Sequence, residues 1–241
     1  MRLCEQLGIE KGVTSVIGSG GKTTMLHVLA RELCRNGTVI LTTSTHIRPS
    51  DEFPCLFSPS EEEVRAALQE APAVCVGSLT EDGKFTACSL SFETLSSLAD
   101  YVLVEADGSK RLPLKAHASH EPVIPENSQK SVCVVGASGL GKPIREAVHR
   151  PALFCAMTGA SEEDIATPEL TARVLMQEAL GDIYFINQCE EAVPRSYAEA
   201  LAARLDKPVI CGSLRCFLSN YSCGIFAASN FRIETSFRCG K

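Results

Sequence analysis

Short apolar runs alternate with amphipathic segments along most of the chain, which is the pattern of a mixed α/β protein. Residues 13–17 form an apolar run that predicts a buried strand, and residues 22–36 place leucines on one helical face. Residues 38–43 predict a second strand. Strand, helix and strand in this order form a unit whose two strands run parallel. We therefore expect a mainly parallel sheet flanked by helices in three layers.

The alternation continues to residue 211 and then stops. Further helices are predicted at residues 60–71, 92–98, 168–180 and 197–205, and further strands at residues 73–76, 84–87, 101–105, 131–135, 182–186 and 208–211. Residues 106–130 are polar and have little periodicity, and a connection of that length inside a compact domain is usually functional. We expect one domain over residues 1–215 and an irregular or edge-forming tail over residues 216–241.

The composition of the 241 residues narrows the class of protein. Hydrophobic residues make up 45% and charged residues 22% of the chain, which is typical of a folded domain. The net charge of −6 argues against a nucleic-acid-binding protein, because phosphate contacts need a basic face. No apolar run approaches the roughly 18 residues of a membrane helix, and the N-terminal residues lack a signal-like segment. We therefore expect a cytoplasmic protein with no membrane partner.

Twelve cysteines are an unusual number for such a chain. Several lie inside apolar strand-like runs, as Cys75 and Cys133 do, and no two are spaced as Cys-x-x-Cys. We expect reduced thiols that pack as small apolar side chains, and no structural metal site.

The strongest chemical signal is a glycine-rich turn (residues 18–21, the glycine turn) between the first strand and the first long helix. The predicted nucleotide-binding residues are Gly18, Ser19, Gly20, Gly21, Lys22, Thr23 and Thr24. Glycines let the backbone approach an anion closely, and the helix N-terminus adds a favourable dipole. We predict that these residues bind ATP or GTP, with Lys22 at the β- and γ-phosphates and the Thr23 hydroxyl on Mg²⁺.

The glycine turn differs from the common phosphate loop. Its pattern Gly-x-x-Gly-Lys-Thr-Thr is two residues shorter than Gly-x-x-x-x-Gly-Lys-Ser/Thr and resembles the ATP loop of Mur-type amino-acid ligases. The fold class predicted from this order of elements is a P-loop NTPase-like α/β domain. The alternative is an ordinary strand–helix turn in which Lys22 and Thr23 have no chemical role.

Two carboxylates follow the strand predicted at residues 101–105. Glu105 ends the apolar run, and Asp107 lies two residues later, on the same side if the strand continues. A nucleotide site of this type needs a carboxylate at the end of a neighbouring strand to hold Mg²⁺ directly or through water. We predict metal-binding and catalytic roles for Glu105 and Asp107, with Thr23 as the third metal ligand. The alternative for Asp107 is an ordinary Asp-Gly turn.

The segment that follows these carboxylates is basic in an otherwise acidic protein. This basic segment contains Lys110, Arg111, Lys115, His117 and His120. Cations beside a nucleotide suit an anionic second substrate or the charge of a transition state, so we predict catalytic roles for Lys110, Lys115 and His120 together with Lys22. The alternative is a solvated surface loop.

Polar residues close three further segments. Residues 42–46 carry hydroxyls suited to phosphate or Mg²⁺, or begin an ordinary loop. Asn187 and Glu190 are spaced like the base-binding Asn-Lys-x-Asp motif of GTPases, and we predict that they contact the nucleotide, although Gln188 in place of lysine argues against guanine specificity. A second glycine-rich turn, residues 136–143, ends in Lys-Pro, which blocks a simple helix start, so we expect it to line the same cleft.

Taken in order, these motifs resemble the YqeC family. The resemblance is carried by GSGGKTT, TTSTH, VEADGSKRLPLKAHASHEPVIP, VVGASGLGKPI, VHRPALF and INQCE. It covers residues 8–212 and is most specific over residues 105–125. The family is associated with the maturation of selenium-dependent molybdenum hydroxylases, so the resemblance implies a role in maturing their selenium-containing cofactor and a hydroxylase as partner.

Several functions stay open at this point. The first is a Mg²⁺-dependent NTPase or phosphoryl-activating enzyme that acts on a small anionic or cofactor-like second substrate. The second is a nucleotide-switched chaperone or insertase that delivers cofactor or selenium to the hydroxylase. The third is a Mur-like ATP-dependent ligase of a small anionic substrate. The fourth is a carrier in which a thiol such as Cys189 holds selenium.

Overall fold

The structure is a computed structural model that describes residues 2–81, 83, 85–219 and 226–227. The helices are α1 (Leu3–Gln6), α2 (Lys22–Leu33), α3 (Glu61–Glu70), α4 (Phe92–Leu98), α5 (Ile144–Ala147), α6 (Pro151–Thr158), α7 (Pro168–Glu178), α8 (Ala192–Ala202) and α9 (Leu214–Ser219), with a 3₁₀ turn at Ala137–Gly139. The strands are β1 (Gly12–Gly18), β2 (Val39–Thr43), β3 (His46–Ile47), β4 (Cys55–Phe57), β5 (Ala73–Leu79), β6 (Phe85–Thr86), β7 (Tyr101–Glu105), β8 (Leu114–Lys115), β9 (Ser128–Gly136), β10 (Val148–His149), β11 (Ile183–Asn187), β12 (Val209–Cys211) and β13 (Phe226–Ala227).

Most of the strands form one central, mainly parallel sheet. Its parallel part has the order β12-β11-β9-β1-β7-β2-β5-β4, and β13 and β6 add antiparallel pairs at β12 and β5. Strand β1 lies between β7 and β9, so the glycine turn that follows it lies in the middle of the carboxyl edge of the sheet. The predicted α/β architecture with a mostly parallel sheet is confirmed.

Helices cover both faces of this sheet. In β1, Val13 and Ile17 face one hydrophobic layer and Val16 faces the other. Helix α2 packs in the second layer, whereas α3, α4, α7 and α8 pack in the first. Because the central strands are buried on both faces, they form continuous apolar runs rather than alternating ones.

The predicted elements are largely confirmed, with shifts at their ends. Helix α4 and strand β7 have the predicted bounds, and α3 begins after Ser60, which exchanges capping hydrogen bonds with Glu63. Helix α8 begins five residues before the prediction and ends three residues earlier, with Pro194 tolerated in its first turn. Lys84 and most of the predicted tail, residues 220–225 and 228–241, lie outside the described residues.

The polar stretch at residues 106–130 is more ordered than predicted. It contains β8, which pairs in parallel with β10, and β9 begins within it at Ser128. Both β8 and β10 have two residues, which is too short for any periodicity to be visible in the sequence. The β8–β10 pair brings the basic segment against the start of α6.

The cysteines pack mainly as apolar side chains. Cys4, Cys75, Cys133, Cys189 and Cys211 are buried in the two hydrophobic layers, which confirms the predicted packing for these five. Cys223 and Cys239 lie outside the described residues. Among the residues that the structure describes, no helix combines the length and the apolar character needed to cross a membrane.

Candidate functional site

The glycine turn has a backbone that only glycine adopts readily. Gly18, Gly20 and Gly21 have φ angles of 87°, 85° and 137°. A Cβ atom on Gly20 would lie 2.5 Å from the Gly136 backbone of the second glycine-rich turn. The two turns therefore touch, and side chains are excluded between them.

The turn leads directly into α2, whose first residues line a cleft. Within the described residues, no side chain caps the start of this helix at Gly21. Gly20, Gly21, Lys22, Thr23 and Thr24 line the cleft, which has a volume of about 1370 Å³. Uncapped N–H groups at a helix N-terminus, together with the helix dipole, attract anions.

Lys22 is buried at the centre of this arrangement. Its Nζ donates to the Gly18 carbonyl oxygen at 2.8 Å and lies 3.1 Å from Asp107 Oδ1 and 3.7 Å from Glu105 Oε1. It also donates to Ser109 Oγ at 3.3 Å. The ammonium group is thus held beside the turn by two carboxylates and two neutral acceptors.

Glu105 ends β7 directly beside the start of α2. The Thr23 hydroxyl donates to Glu105 Oε2 at 2.8 Å. Burial raises the pKa of Glu105, while the charge of Lys22 and the hydrogen bond from Thr23 oppose that rise. Across the described part of the chain, no three or more His, Cys, Asp or Glu side chains form a metal-binding group. Glu105 and Thr23 are the neighbouring oxygen ligands that could hold a metal at this position.

Asp107 is fully buried, and its protein partners bind mainly one oxygen, Oδ2; Oδ1 lies beside Lys22 without a hydrogen bond among the described residues. Its Oδ2 accepts from the Gly18 N–H at 2.8 Å and lies 2.7 Å from His117 Nε2 and 3.1 Å from Lys115 Nζ. Burial alone would raise the pKa of Asp107, but the hydrogen bond with His117 and the charges of Lys22 and Lys115 outweigh it and lower the pKa to about 2. Asp107 therefore stays ionised and holds the glycine turn, Lys22 and the basic segment together.

His117 connects Asp107 to the far end of α7. Its Nδ1 lies 2.7 Å from Glu178 Oε2, and its backbone N–H donates to Glu178 Oε1 at 2.6 Å. Burial lowers the pKa of His117, but the hydrogen bonds with Asp107 and Glu178 reverse this and raise it above the ordinary value. In the sequence, His117 is only one of several basic residues, and nothing marks Glu178 as its partner.

The other predicted members of the basic segment lie in two different environments. Lys115 is buried, donates to the Gly108 carbonyl oxygen at 2.6 Å and forms an ion pair with Glu121, which also pairs with Arg150. The His120 side chain is 72% exposed, and its Nε2 lies 3.4 Å from Arg150 Nη2. The structure therefore brings Lys115 to Asp107 and leaves His120 at the surface.

Lys110 and Arg111 form one wall of the cleft. Both are exposed, and their φ angles of 47° and 61° are uncommon for residues other than glycine. His149 and Arg150 line the same cleft. Burial first, and then the charges of Lys115, Arg150 and Lys110, lower the pKa of His149, so its imidazole is neutral near pH 7.

The residues predicted to contact a base lie behind the glycine turn. Asn187 Nδ2 donates to the Gly20 carbonyl oxygen at 2.7 Å, and its Oδ1 accepts from the Leu214 N–H at 2.9 Å. Glu190 accepts from the Ser213 hydroxyl. Asn187 is buried and fixes the turn to α9, whereas Gln188, between these two residues, lines the cleft.

Two comparisons with known proteins agree on the family. A family model described as YqeC protein matches residues 14–152. The YqeC protein of Escherichia coli (strain K12) is 34% identical over 214 residues, which cover 79% of this chain and 83% of that protein. The chain belongs to the YqeC family. The resemblance seen in the motifs is thereby confirmed.

The span matched by the YqeC model contains most of the site. The glycine turn, Glu105, Asp107, the basic segment and Arg150 all lie within residues 14–152. Glu178 and Asn187 lie outside that span, although both contact residues within it. In this YqeC chain the second half of the fold therefore supports a site built mainly by the first half.

Proposed function

We propose that this chain binds a Mg²⁺–nucleoside triphosphate, ATP or GTP, at the glycine turn, and hydrolyses it or uses it to activate a small anionic substrate. The observation that carries the proposal is the uncapped start of α2 beside Lys22, facing a large cleft. Backbone N–H groups, the helix dipole and an ammonium group together suit a chain of phosphates.

The order of the strands supports the same proposal. Strand β7 pairs directly with β1, and Val16 of β1 is in register with Glu105. The pairing of these strands thus brings a carboxylate beside the glycine turn. This arrangement supports assignment to the P-loop NTPase-like class, with a three-layer architecture.

The residues beside the turn fit a magnesium ion. The Thr23 hydroxyl and the Glu105 carboxylate are hard oxygen donors 2.8 Å apart, the type of ligand that Mg²⁺ prefers. They would hold the ion, which when bound neutralises charge on phosphoryl oxygens. For Asp107, also predicted as a metal ligand, Oδ2 already binds Gly18, Lys115 and His117, so only Oδ1, which lies beside Lys22, would be available to the ion.

The family resemblance gives this activity a biological setting. We carry over from it the hypothesis that the nucleotide-dependent step serves the maturation of the selenium-containing cofactor of a molybdenum hydroxylase. The chemistry argued from the residues is independent of that setting, because it depends only on the turn, Lys22, Thr23 and Glu105.

Calorimetric titration with ATP and GTP, with and without Mg²⁺, tests the proposal. We expect Mg²⁺-dependent binding of one nucleotide, weakened at least about tenfold in Lys22→Met, which keeps the buried stem of the side chain. The matched control is Lys142→Ala, because Lys142 is an exposed lysine of the second glycine-rich turn. The prediction that this turn lines the cleft was wrong, since none of residues 136–143 does so. Equal affinity in wild type and Lys22→Met, or a loss confined to Lys142→Ala, would contradict the proposal.

One contact favours a nucleotide-controlled switch as a second candidate function. Lys22 donates to Ser109, so the loop that carries Lys110 and Arg111 is tied to the lysine that would meet the phosphates. A phosphate bound to Lys22 would break the hydrogen bond to Ser109 and free the loop that carries Lys110 and Arg111 to move. A switch of this kind predicts slow turnover that accelerates when a molybdenum hydroxylase is added. Turnover that is the same with and without the hydroxylase would exclude it.

A further inference from the structure

We propose that Lys110, Arg111 and Arg150 form a second anion-binding subsite in the cleft, which binds a substrate that carries its own phosphate monoester. The inference rests on the proposed function, because it names the molecule that would lie beside the nucleotide. Three observations support it: cationic side chains without ion-pair partners, the uncommon backbone conformation of these residues, and a cleft larger than one nucleotide needs.

The unpaired charge is on the wall formed after β7. Within the part of the chain that the structure describes, the side chains of Lys110 and Arg111 have neither a hydrogen-bond acceptor nor an ion-pair partner. Arg150 pairs with Glu121, but its Nε is buried without an acceptor among the described residues. Glu121 is itself shared with Lys115, so it does not neutralise the wall. Lys110 and Arg111, two neighbouring cations without an ion-pair partner in a protein of net charge −6, indicate a site for an anion.

The backbone holds these cations in uncommon conformations. Lys110, Arg111 and Arg150 have φ angles of 47°, 61° and 66°, and Gln188, which also lines the cleft, has 66°. Among the described residues, only Ser58 and Ala179 share this property without being glycine. Non-glycine residues in the left-handed region cluster where function requires a fixed geometry. Here they cluster around one cleft.

The cleft has room for a second molecule. Its volume of about 1370 Å³ exceeds the roughly 300–1,000 Å³ of pockets that hold one drug-sized ligand. It reaches from Gln188, after β11, to Thr80, after β5. These strands are five positions apart in the sheet, which corresponds to about 24 Å at roughly 4.8 Å per strand. The glycine turn follows β1 near the middle of this distance, so a nucleotide anchored there leaves part of the cleft free.

The chemistry of the wall matches a phosphate monoester. A guanidinium group offers planar pairs of N–H donors that fit two phosphate oxygens at once, and Lys110 adds a point charge. Lys110 and Arg111 together carry two positive charges, which match the two negative charges of a monoester. Neutral His149 in the same cleft adds a polar group without adding further charge.

Titration of inorganic phosphate into protein saturated with Mg²⁺ and a non-hydrolysable triphosphate analogue tests the subsite. The test variant combines Lys110→Asn and Arg111→Asn, because asparagine tolerates the left-handed backbone that both positions require. The matched control combines Arg35→Ala and Lys142→Ala, which removes the same charge from exposed positions that do not line the cleft. We expect phosphate binding in wild type and in the control, at least about tenfold weaker phosphate binding in the test variant, and nucleotide affinity unchanged within about twofold.

The outcomes separate this inference from the proposed function. If the nucleotide binds but phosphate does not, or if the test variant weakens nucleotide and phosphate equally, the second subsite is excluded and the proposed function stands. If no nucleotide binds, phosphate is titrated into nucleotide-free wild type, Lys22→Met and the test variant. Binding that needs Lys110 and Arg111 but not Lys22 then supports the subsite. Binding that needs only Lys22, or no binding, overturns it.

Discussion

His117 Nε2 lies 2.7 Å from Asp107 Oδ2, beneath the glycine turn and away from solvent. The other ring nitrogen is bonded to Glu178 on α7, so one imidazole connects two carboxylates on different parts of the fold. Both hydrogen bonds are strongest when the ring is protonated, because a protonated imidazole donates from both nitrogens. The ring therefore couples the position of Asp107, and through it that of Gly18 and Lys22, to the packing of α7.

The first prediction concerns the pH dependence of stability in His117→Gln. The folded-state pKa of His117 is raised above its ordinary value, so its stabilisation is fully present below about pH 6.5 and is lost as pH rises through the folded pKa. We expect the variant to lose about 1–3 kcal/mol of unfolding free energy at pH 6 and less at pH 9. Urea denaturation at both pH values measures this. His120→Gln, an exposed histidine in the same segment, is the control, and a loss in His117→Gln that is the same at both pH values would contradict the prediction.

The second prediction concerns acid denaturation and Asp107. The pKa of Asp107 is lowered from 3.8 to about 2, so its stabilisation is present above the unfolded-state pKa and is lost as pH falls toward 2. At 1.36 kcal/mol per unit, this shift corresponds to about 2 kcal/mol. Urea denaturation measures the difference in unfolding free energy between wild type and Asp107→Asn. We expect this difference to be about 2 kcal/mol larger at pH 6 than at pH 2. If the difference is the same at both pH values, the ionised form of Asp107 does not stabilise the fold.

The third prediction compares two glycines with similar backbone angles. Gly20 has φ 85° and Gly159 has φ 76°, but only a Cβ on Gly20 would meet other atoms within 4 Å. We expect Gly159→Ala to lower the unfolding free energy by about 1–2 kcal/mol, because alanine is strained in this left-handed backbone conformation. Gly20→Ala should lose about 2–5 kcal/mol, because the Gly136 backbone must also move. Thermal denaturation of both variants measures the difference, and equal losses would show that the two glycine-rich turns do not press on each other.

Local patterns were sufficient to predict that the glycine turn, Lys22, Thr23 and Glu105 lie close together. The turn, Lys22, Thr23 and the end of β7 lie where apolar runs stop, and parallel strands bring such ends to one edge of a sheet. Similar reasoning predicts a functional stretch after Glu105, because a long polar connection inside a compact domain usually has a function.

The partners of these residues were not predictable, because they are distant in sequence. Glu178 follows His117 by 61 positions and sits on a helix whose pattern is ordinary. The pairing of β8 with β10 turns His117 inward and leaves His120 exposed, and neither two-residue strand has a sequence signature. Asn187 matched a base-binding motif by spacing, yet its side chain is bonded to Gly20 and Leu214. The spacing of a short motif identifies candidate residues, but the contacts of their side chains depend on the fold.

The fourth prediction tests the oxygen ligands proposed for magnesium. Thr23→Val keeps the shape of the side chain but removes the hydroxyl that donates to Glu105, whereas Thr23→Ser keeps the hydroxyl. Mg²⁺ should increase nucleotide affinity in wild type. We expect this increase to be about tenfold smaller in Thr23→Val and nearly unchanged in Thr23→Ser. Calorimetry at several Mg²⁺ concentrations separates this part from the binding of the free nucleotide. Identical Mg²⁺ dependence in wild type and Thr23→Val would remove Thr23 from the metal site.

The fifth prediction concerns the thiol-carrier hypothesis and Cys189. This thiol is buried, and burial raises its pKa to about 12. An ordinary cysteine has a pKa of about 8.5. At pH 8 the thiolate fraction of Cys189 is therefore more than about a thousandfold lower than that of an ordinary cysteine. A selenium carrier needs an accessible thiolate, since the thiolate is the nucleophile. We expect iodoacetamide at pH 8 to modify the half-buried Cys34 in the folded protein long before Cys189, as measured by mass spectrometry of the digested peptides. Labelling of both thiols only after urea is added would indicate that Cys34 is also protected. Early labelling of Cys189 in native protein would restore the carrier hypothesis, because it would require an opening that exposes the end of β11.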